Sequence, residues 1–298
     1  MVLLGPTGVG KTDLSYKIYD ENIEIISVDS VQVYRYFDIG SSKPDSEIRK
    51  KIIHHLIDIV DPDYNFTAGD FCRYANIACS NIYKKKKYPL FIGGTPFYID
   101  SFFNGLSEIP EIDEAVKIQL KSELIEYGLH FLFEELKKCD EVFSRRIHLN
   151  DKQRILRGLE VFRGTGKPLS GYFINKVGHE SKDTLYIGLL MDREILKKRI
   201  DQRVDCMIQS GLIDEVNSLR KMGYNSDLKS MQSIGYLEIN KYLDNELSLT
   251  DAVDKIKSET RKYAKRQMTW FRRNKKIQWI EPADIKKIKE IINKIFFN

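Results

Sequence analysis

No stretch of this sequence approaches the roughly 20 uninterrupted apolar residues that a membrane helix needs. Residues 1–4 are too few for a secretory signal ahead of the first glycine-rich turn. A cytoplasmic protein with no membrane partner is the expectation. Cysteine is scarce: Cys72, Cys79, Cys139 and Cys206 lie far apart, without CxxC or CxxH spacing. That spacing suggests neither a disulfide framework nor a zinc site and leaves four reduced structural thiols. Internal repeats and low-complexity tracts are also missing. The 298 residues are enough for one large α/β domain or a core with a smaller companion, with a substantial buried interior.

Acidic residues are missing from one place in particular. RKYAKRQMTWFRRNKK at 261–276 holds eight Lys or Arg and no Asp or Glu, and removing those eight charges from the net +5 leaves −3 on the rest. The positive charge is therefore local, which reads as a docking surface for a polyanion. At about 100° per residue, Arg261, Lys265 and Arg272 form one column of a helix. Lys262, Arg266 and Arg273 form the next, with Ile256, Tyr263, Trp270 and Phe271 opposite. One face is core and the other suits a line of phosphates. KKKK at 84–87 reads instead as a solvated helix end complementing the helix dipole.

Along the chain, Val2 to Leu4 form a short apolar strand before GPTGVGKT at 5–12, and a helix is predicted over 12–20. IEIISV at 23–28 is a second strand, Thr67 caps a helix through Tyr83, and PLFIGG at 89–94 is a third strand. Alternating strands and helices predict an α/β fold, a P-loop-type parallel sheet with helices on both faces. Residues 107–182 break that rhythm and predict an inserted helical subdomain, so the core comprises 1–106 and 183–298. LYIGLLM at 185–191 resumes the sheet. Helices near 193–209, 212–222 and 250–273, a last strand KIQWIEP and a closing helix follow.

Gly5, Gly10, Lys11 and Thr12 satisfy G-x-x-x-x-G-K-[ST]. Such a turn lets the backbone of Gly5, Pro6, Thr7, Gly8, Val9, Gly10, Lys11 and Thr12 wrap one anion. Lys11 neutralises terminal oxygens, and the Thr12 hydroxyl is a candidate ligand for Mg²⁺. Asp29, at the carboxyl end of the second strand, can hold a metal shell or take a proton from a nucleophile. Thr95 in GGTPFY lies on the same rim. Arg199 and Arg203, four apart in DREILKKRIDQR, share a helix face and offer paired guanidinium groups to a diphosphate. The residues alone leave the ligand open between a nucleotide such as ATP and a prenyl diphosphate.

Taken in order, GPTGVGKT, DSVQVYRYFDIGSSKP, HHLIDIVDP, GGTPFY, NDKQRILRGLEVFRGTGKPLS, DREILKKRIDQRVDCMIQSGLIDEV, SIGYLE and TRKYAKRQMTWFRR cover nearly the whole chain. The sequence resembles the tRNA dimethylallyltransferase family, bacterial type. The resemblance implies that the loop holds the diphosphate of dimethylallyl diphosphate, with Mg²⁺, while N6 of adenosine 37 in the tRNA anticodon stem-loop attacks the allylic carbon. It implies Asp29 as the base, with Thr12, Thr95 and Arg203 around the reacting groups. It also implies Asp29, Ser30, Val31 and Gln32, Thr95, and Gln153, Arg154, Ile155, Leu156 and Arg157 as tRNA contacts, SIGYLE as a further such stretch, and a monomer. Arg266 and Arg273 on the basic helix are candidates to grip the RNA backbone.

Three departures from the family pattern stand out. Pro96 replaces the glycine expected after Thr95, only Val2, Leu3 and Leu4 separate Met1 from Gly5, which leaves room for an upstream start, and no C-terminal Cys2His2 finger is present. The rival readings are a P-loop small-molecule kinase and a non-catalytic RNA-binding ATP switch. The first does not require the cationic helix or QRILR, and the second does not require Asp29.

Overall fold

A computed structural model of the chain describes residues 1–173, 178–179 and 184–296. Its described residues divide into two compact units, one from Met1–Phe102 with Glu180–Asn298 and one from Phe103–His179. Residues 174–177 and 180–182 of the expected insertion, and residue 183 of the expected core, lie outside the described residues.

The first unit opens with β1 (Val2–Leu4), α1 (Lys11–Lys17), β2 (Ile23–Val28), α2 (Ser46–Lys51), β3 (His54–His55), α3 (Ala68–Lys84), β4 (Tyr88–Gly93) and α4 (Pro96–Asn104). The second unit holds α5 (Glu114–Cys139), α6 (Glu141–Ser144), α7 (Lys152–Thr165) and a 3-10 turn at Leu169–Phe173. The first unit then resumes with β5 (Tyr186–Leu189), α8 (Arg193–Gln209), α9 (Leu212–Lys221), α10 (Tyr236–Leu243), α11 (Leu249–Phe271), β6 (Gln278–Ile280) and α12 (Ile285–Phe296).

All six strands are parallel, in the order β3-β2-β4-β1-β5-β6. β1, β2 and β5 are buried along their whole length, as strands covered on both faces must be. On one face Leu3, Ile25, Leu90, Ile187 and Leu189 pack with Leu14 of α1 and Ile288 and Ile292 of α12. On the other, Phe71 of α3 stacks on Tyr98 with ring centres 4.7 Å apart, and Phe91 of β4 meets Phe102 at 4.9 Å. Because β4 inserts between β1 and β2, the chain after β1 and the chain after β2 leave the sheet on either side of β4. The crevice at their carboxyl ends is where an open α/β sheet binds ligands.

Local chemistry explains the element ends. α3 begins with a reciprocal capping box, Thr67 Oγ1 accepting from the Asp70 amide at 3.1 Å and Asp70 Oδ2 accepting from the Thr67 amide at 3.0 Å. α1 is shorter than the predicted 12–20, because Asp20 closes a turn onto the Asn22 amide at 2.9 Å. The lysine run at 84–87 corrects a reading. Lys85 donates to the buried Glu24 carboxylate at 3.0 Å, and Lys87 lies 3.7 Å from it, with His55 on the same group at 2.8 Å. These lysines neutralise a carboxylate inside β2 and are more than a solvated helix end.

In the second unit, Leu120, Leu132, Leu136, Phe143, Ile155 and Leu159 form a separate core. α5 is broken at Gly128, whose φ of +80° and ψ of 170° are not helical. Arg163 of α7 crosses to Glu123 at 2.7 Å and Glu135 at 2.6 Å, tying both halves of α5 to α7.

Candidate functional site

The glycine-rich loop leaves β1 and enters α1 at Gly10, whose φ of +97° is open to glycine at little cost. The space a side chain would take at Gly10 is used by Arg199: a Cβ there would stand 3.4 Å from its Nη2. Lys11 Nζ donates to Gly5 O and Pro6 O, each at 2.9 Å, so the ammonium is held by its own loop. Burial, and then the nearby positive charge of Arg203, push the Lys11 ammonium down to about 7, with Asp29 acting the other way. Arg203 is lowered as well, by burial. Two guanidinium groups and an ammonium thus share one small volume, an arrangement stabilised by a polyanion.

That volume is a cavity of about 480 Å³ lined by Thr7, Gly8, Gly10, Lys11 and Thr12 from the loop, Asp29 and Gln32 after β2, Arg199 and Arg203 of α8, and Tyr263 and Gln267 of α11. Three residues expected to bind the diphosphate sit behind it. Gly5 and Pro6 lend their carbonyls to Lys11, and Val9 is 0% exposed inside the sheet core, so its side chain has no access to a ligand.

Asp29 Oδ1 accepts from the Val31 amide at 2.8 Å and the Gln32 amide at 3.2 Å. This local turn fixes the carboxylate and leaves Oδ2 for the cavity it lines. Ser30 and Val31 are half-buried within this turn and lie outside the cavity wall. The Gln32 side chain is fully engaged: Oε1 accepts from Ser27 Oγ at 2.9 Å, and Nε2 donates to Ser41 O at 3.3 Å and Ser42 O at 3.4 Å. Thr95 is held by its amide to Val28 O at 3.2 Å, on the rim after β4. Pro96, the departure noted above, is the first residue of α4, where a missing N–H leaves no helical bond unmade.

Two residues that sequence reasoning did not assign to the site come from α11. Gln267 is 2% exposed; its Oε1 accepts from the Thr7 amide at 2.9 Å and its Nε2 donates to Gly94 O at 2.5 Å. The Tyr263 hydroxyl donates to Gly94 O at 3.4 Å, and burial, followed by the Asp29 charge, pushes its phenol up to about 12. The signal available was spacing. Tyr263 and Gln267 are four apart, and Gln267 falls with Ala264 and Phe271 on the buried side of the helix.

The outer side of α11 differs in part from expectation. Arg261 is paired with Asp201 at 2.5 Å and Lys262 with Glu259 at 2.8 Å, so acids from α8 and the preceding turn neutralise the first cations of each column. Arg266 and Arg273 are exposed, the first over the Tyr263 ring at 5.8 Å and the second over Trp270 at 5.5 Å. Trp270 therefore supports the cationic face and is not core.

In the second unit Gln153 and Arg154 at the start of α7 are exposed, whereas Leu156 and Arg157 are half-buried, Arg157 lying 3.2 Å from Glu160. Ile155 is a correction. It is 0% exposed within that unit's core, so the helical periodicity that exposes Arg154 turns Ile155 inward and rules it out as a side-chain RNA contact. In SIGYLE at 233–238, Tyr236 is 0% and Glu238 2% exposed, so neither side chain can face RNA, whereas Ser233, Ile234 and Leu237 are half-buried.

The described residues contain no helix long and apolar enough to cross a membrane, and no cluster of three or more His, Cys, Asp or Glu side chains placed to hold a metal.

Comparison with known proteins follows the same line. A family model described as IPP transferase matches residues 32–274. The chain is 44% identical over 282 residues to tRNA dimethylallyltransferase 2 of Geotalea daltonii, covering 94% of this chain and 86% of that protein. It is 40% identical over 299 residues to the tRNA dimethylallyltransferase of Geobacter sulfurreducens, covering 99% and 96%. Among solved structures, the full-length tRNA isopentenylpyrophosphate transferase of Bacillus halodurans aligns with a TM-score of 0.70 at 36% identity, covering 98% of this chain and 95% of that one. A eukaryotic dimethylallyltransferase acting on tRNA aligns with a TM-score of 0.78 at 28% identity, covering 96% and 74%.

Proposed function

We propose a reaction from one premise: the chain belongs to the IPP transferase family, whose matched relatives are tRNA dimethylallyltransferases. It is an enzyme that transfers a prenyl group to tRNA. The finer reading is that dimethylallyl diphosphate is the donor and that N6 of adenosine 37, in the anticodon loop, is the acceptor. The chain then works as a monomer in the cytoplasm. The observation that carries this reading is the meeting of Lys11, Arg199 and Arg203 with the Asp29 carboxylate in one cavity at the carboxyl ends of β1 and β2.

The chemistry asks for what these residues offer. The exocyclic N6 is a weak nucleophile, its lone pair being delocalised into the ring, so rate must come from alignment and from neutralising the leaving group. The N6–C1 bond forms as the C1–O bond breaks, and the electron pair departs on diphosphate. Lys11, Arg199, Arg203 and the loop amides receive that charge. Asp29 Oδ2 accepts the N6 proton as the new bond raises its acidity. Thr95, with Tyr263 beside it, borders the reacting atoms. Arg266 and Arg273 grip the RNA backbone, and Gln153 and Arg154 contact the loop that yields its base.

Mg²⁺ fits this donor set. The Thr12 hydroxyl and the Asp29 carboxylate line the cavity among the cations, too few for an all-protein cage but suited to an ion that keeps waters and shares phosphate oxygens. Thr12 would hold it, and when bound the ion supplies further charge for the leaving diphosphate.

The test is to incubate the protein and Mg²⁺ with an unmodified anticodon stem-loop, adding dimethylallyl diphosphate or ATP, and to analyse the nucleosides by mass. Prenylated adenosine with the diphosphate donor alone, lost when position 37 is changed to guanosine, is the expected result. ATP hydrolysis without prenyl product overturns the reading in favour of a kinase.

A further inference from the structure

Three stretches noted in the sequence meet beside the site without entering its chemistry: FDIGSSKP at 37–44, GLIDEV at 211–216 and SIGYLE at 233–238. Asp38, Ile39 and Gly40 turn three consecutive backbone N–H groups toward one side chain, the Glu215 carboxylate of α9. Oε2 accepts from Asp38 N at 3.0 Å and Ile39 N at 2.7 Å, and Oε1 from Gly40 N at 3.2 Å. A fourth bond, from the Tyr236 hydroxyl to Oε1, measures 2.6 Å. Successive amides aimed at one point form a nest that ordinarily receives an external anion. Here the protein fills it with its own carboxylate.

We propose that Glu215, backed by Tyr236, is a positioning residue that sets loop 38–42 and, through it, the Gln32 and Asp29 side chains of the prenyl-transfer site; this rests on the function given above. The path is continuous through packed groups and hydrogen bonds. Tyr236 is wholly buried, its ring 4.2 Å from that of Phe37, and a Cβ on Gly40 would come within 2.5 Å of it, so the loop has one way to lie. Ser41 Oγ turns back to Phe37 O at 2.5 Å. The carbonyls of Ser41 and Ser42 then receive the Gln32 amide, and the Gln32 backbone N–H holds Asp29 Oδ1. Loop, Gln32 and Asp29 share a wall of the same cavity, whereas Glu215 and Tyr236 do not touch it. Within SIGYLE, Tyr236 thus supplies the hydroxyl that fixes the carboxylate.

Glu215→Gln keeps the volume but leaves one acceptor oxygen for four donors. A shift of the base by a fraction of an ångström suffices to slow transfer, since misplacement by 1 Å can cost about 100-fold. The expected result is a kcat lowered about 10- to 100-fold, with the KM for dimethylallyl diphosphate within about threefold of wild type because the phosphate loop is untouched. Tyr236→Phe removes one bond of four and lowers kcat about two- to tenfold. In the Glu215→Gln, Gln32→Ala double variant, kcat falls no further than in the worse single variant, because the two act in series. Additive losses, or an unchanged kcat in Glu215→Gln, overturn the proposal. Hydrogen exchange on the full chain needs no turnover: amides 38–40 exchange at least about tenfold faster in Glu215→Gln while loop amides 7–12 do not. Faster exchange throughout the first unit means a general loss of stability and overturns it too. Wild-type protein that forms no prenylated adenosine defeats the assigned reaction; active wild-type protein with an indifferent variant defeats this inference alone.

Discussion

Gln267 accepts a hydrogen bond from the Thr7 amide at 2.9 Å, which fastens the phosphate loop to α11. The same side chain donates to Gly94 O, so one buried amide spans the two rims of the cavity. Gln267→Leu strands the Thr7 N–H and leaves Gly94 O only the longer bond from Tyr263 at 3.4 Å, at a cost of about 1–3 kcal/mol for the group left unsatisfied. Thermal unfolding should show a Tm lower by several degrees. The KM for dimethylallyl diphosphate should rise in Gln267→Leu.

Lys11 carries a pH signature. Its ammonium is pushed down to about 7 in the free protein, below the ordinary lysine value, so between about pH 7 and 10 the unfolded chain binds one more proton than the folded one. The free protein therefore gains stability from this group as pH rises through that window, and bears the full penalty below pH 7. A bound diphosphate restores the charge, so binding takes up a proton above pH 7. Calorimetric titration with inorganic diphosphate in two buffers of different ionisation enthalpy at pH 8 should show that uptake. Lys11→Met should abolish it.

Asp29→Asn keeps an oxygen for the Val31 and Gln32 amides and removes the proton acceptor. Single-turnover prenyl transfer should slow by about 100- to 10,000-fold, the usual contribution of a general base. RNA affinity by gel shift should stay within about threefold. Equal losses in binding and turnover would place Asp29 in RNA recognition and not in proton transfer.

The aromatic backing of Arg266 and Arg273 predicts a salt-dependent surface. Arg266→Glu with Arg273→Glu should weaken stem-loop binding and flatten the slope of log K against log salt by roughly 1.4, at about 0.7 for each single-stranded phosphate no longer neutralised. The kcat at saturating RNA should change little, since neither side chain lines the cavity.

How far the sequence discloses this molecule can be judged from particular residues. The sheet, its parallel sense and the loop–helix junction were legible because burial on both faces leaves uninterrupted runs such as IEIISV. The two-residue β3 and the six-residue α2 were not, being too short for any period to show. α10 was missed for a similar reason: its eight residues are buried on several sides, and Glu238 and Asn240 inside it read as surface. Within the site, Lys11, Thr12, Asp29, Arg199 and Arg203 follow from motif and rim position, and the structure brings them to one cavity. Gln267 did not stand out, because a neutral amide among eight cations looks incidental until its burial is known. Ile155 shows the converse, a residue within a characteristic segment whose work is packing, and Tyr236 is buried to hold Glu215.

Strand β1 sits at the centre of the sheet, yet its neighbours are made long after it. Val2 pairs with Phe91 on one side and Tyr186 on the other. At roughly 5–20 residues per second, a ribosome finishes the second neighbour about ten seconds or more after the first residues emerge. Until then the strand that feeds the phosphate loop has an open edge and no completed sheet. Assembly of the site is accordingly a late event in biosynthesis.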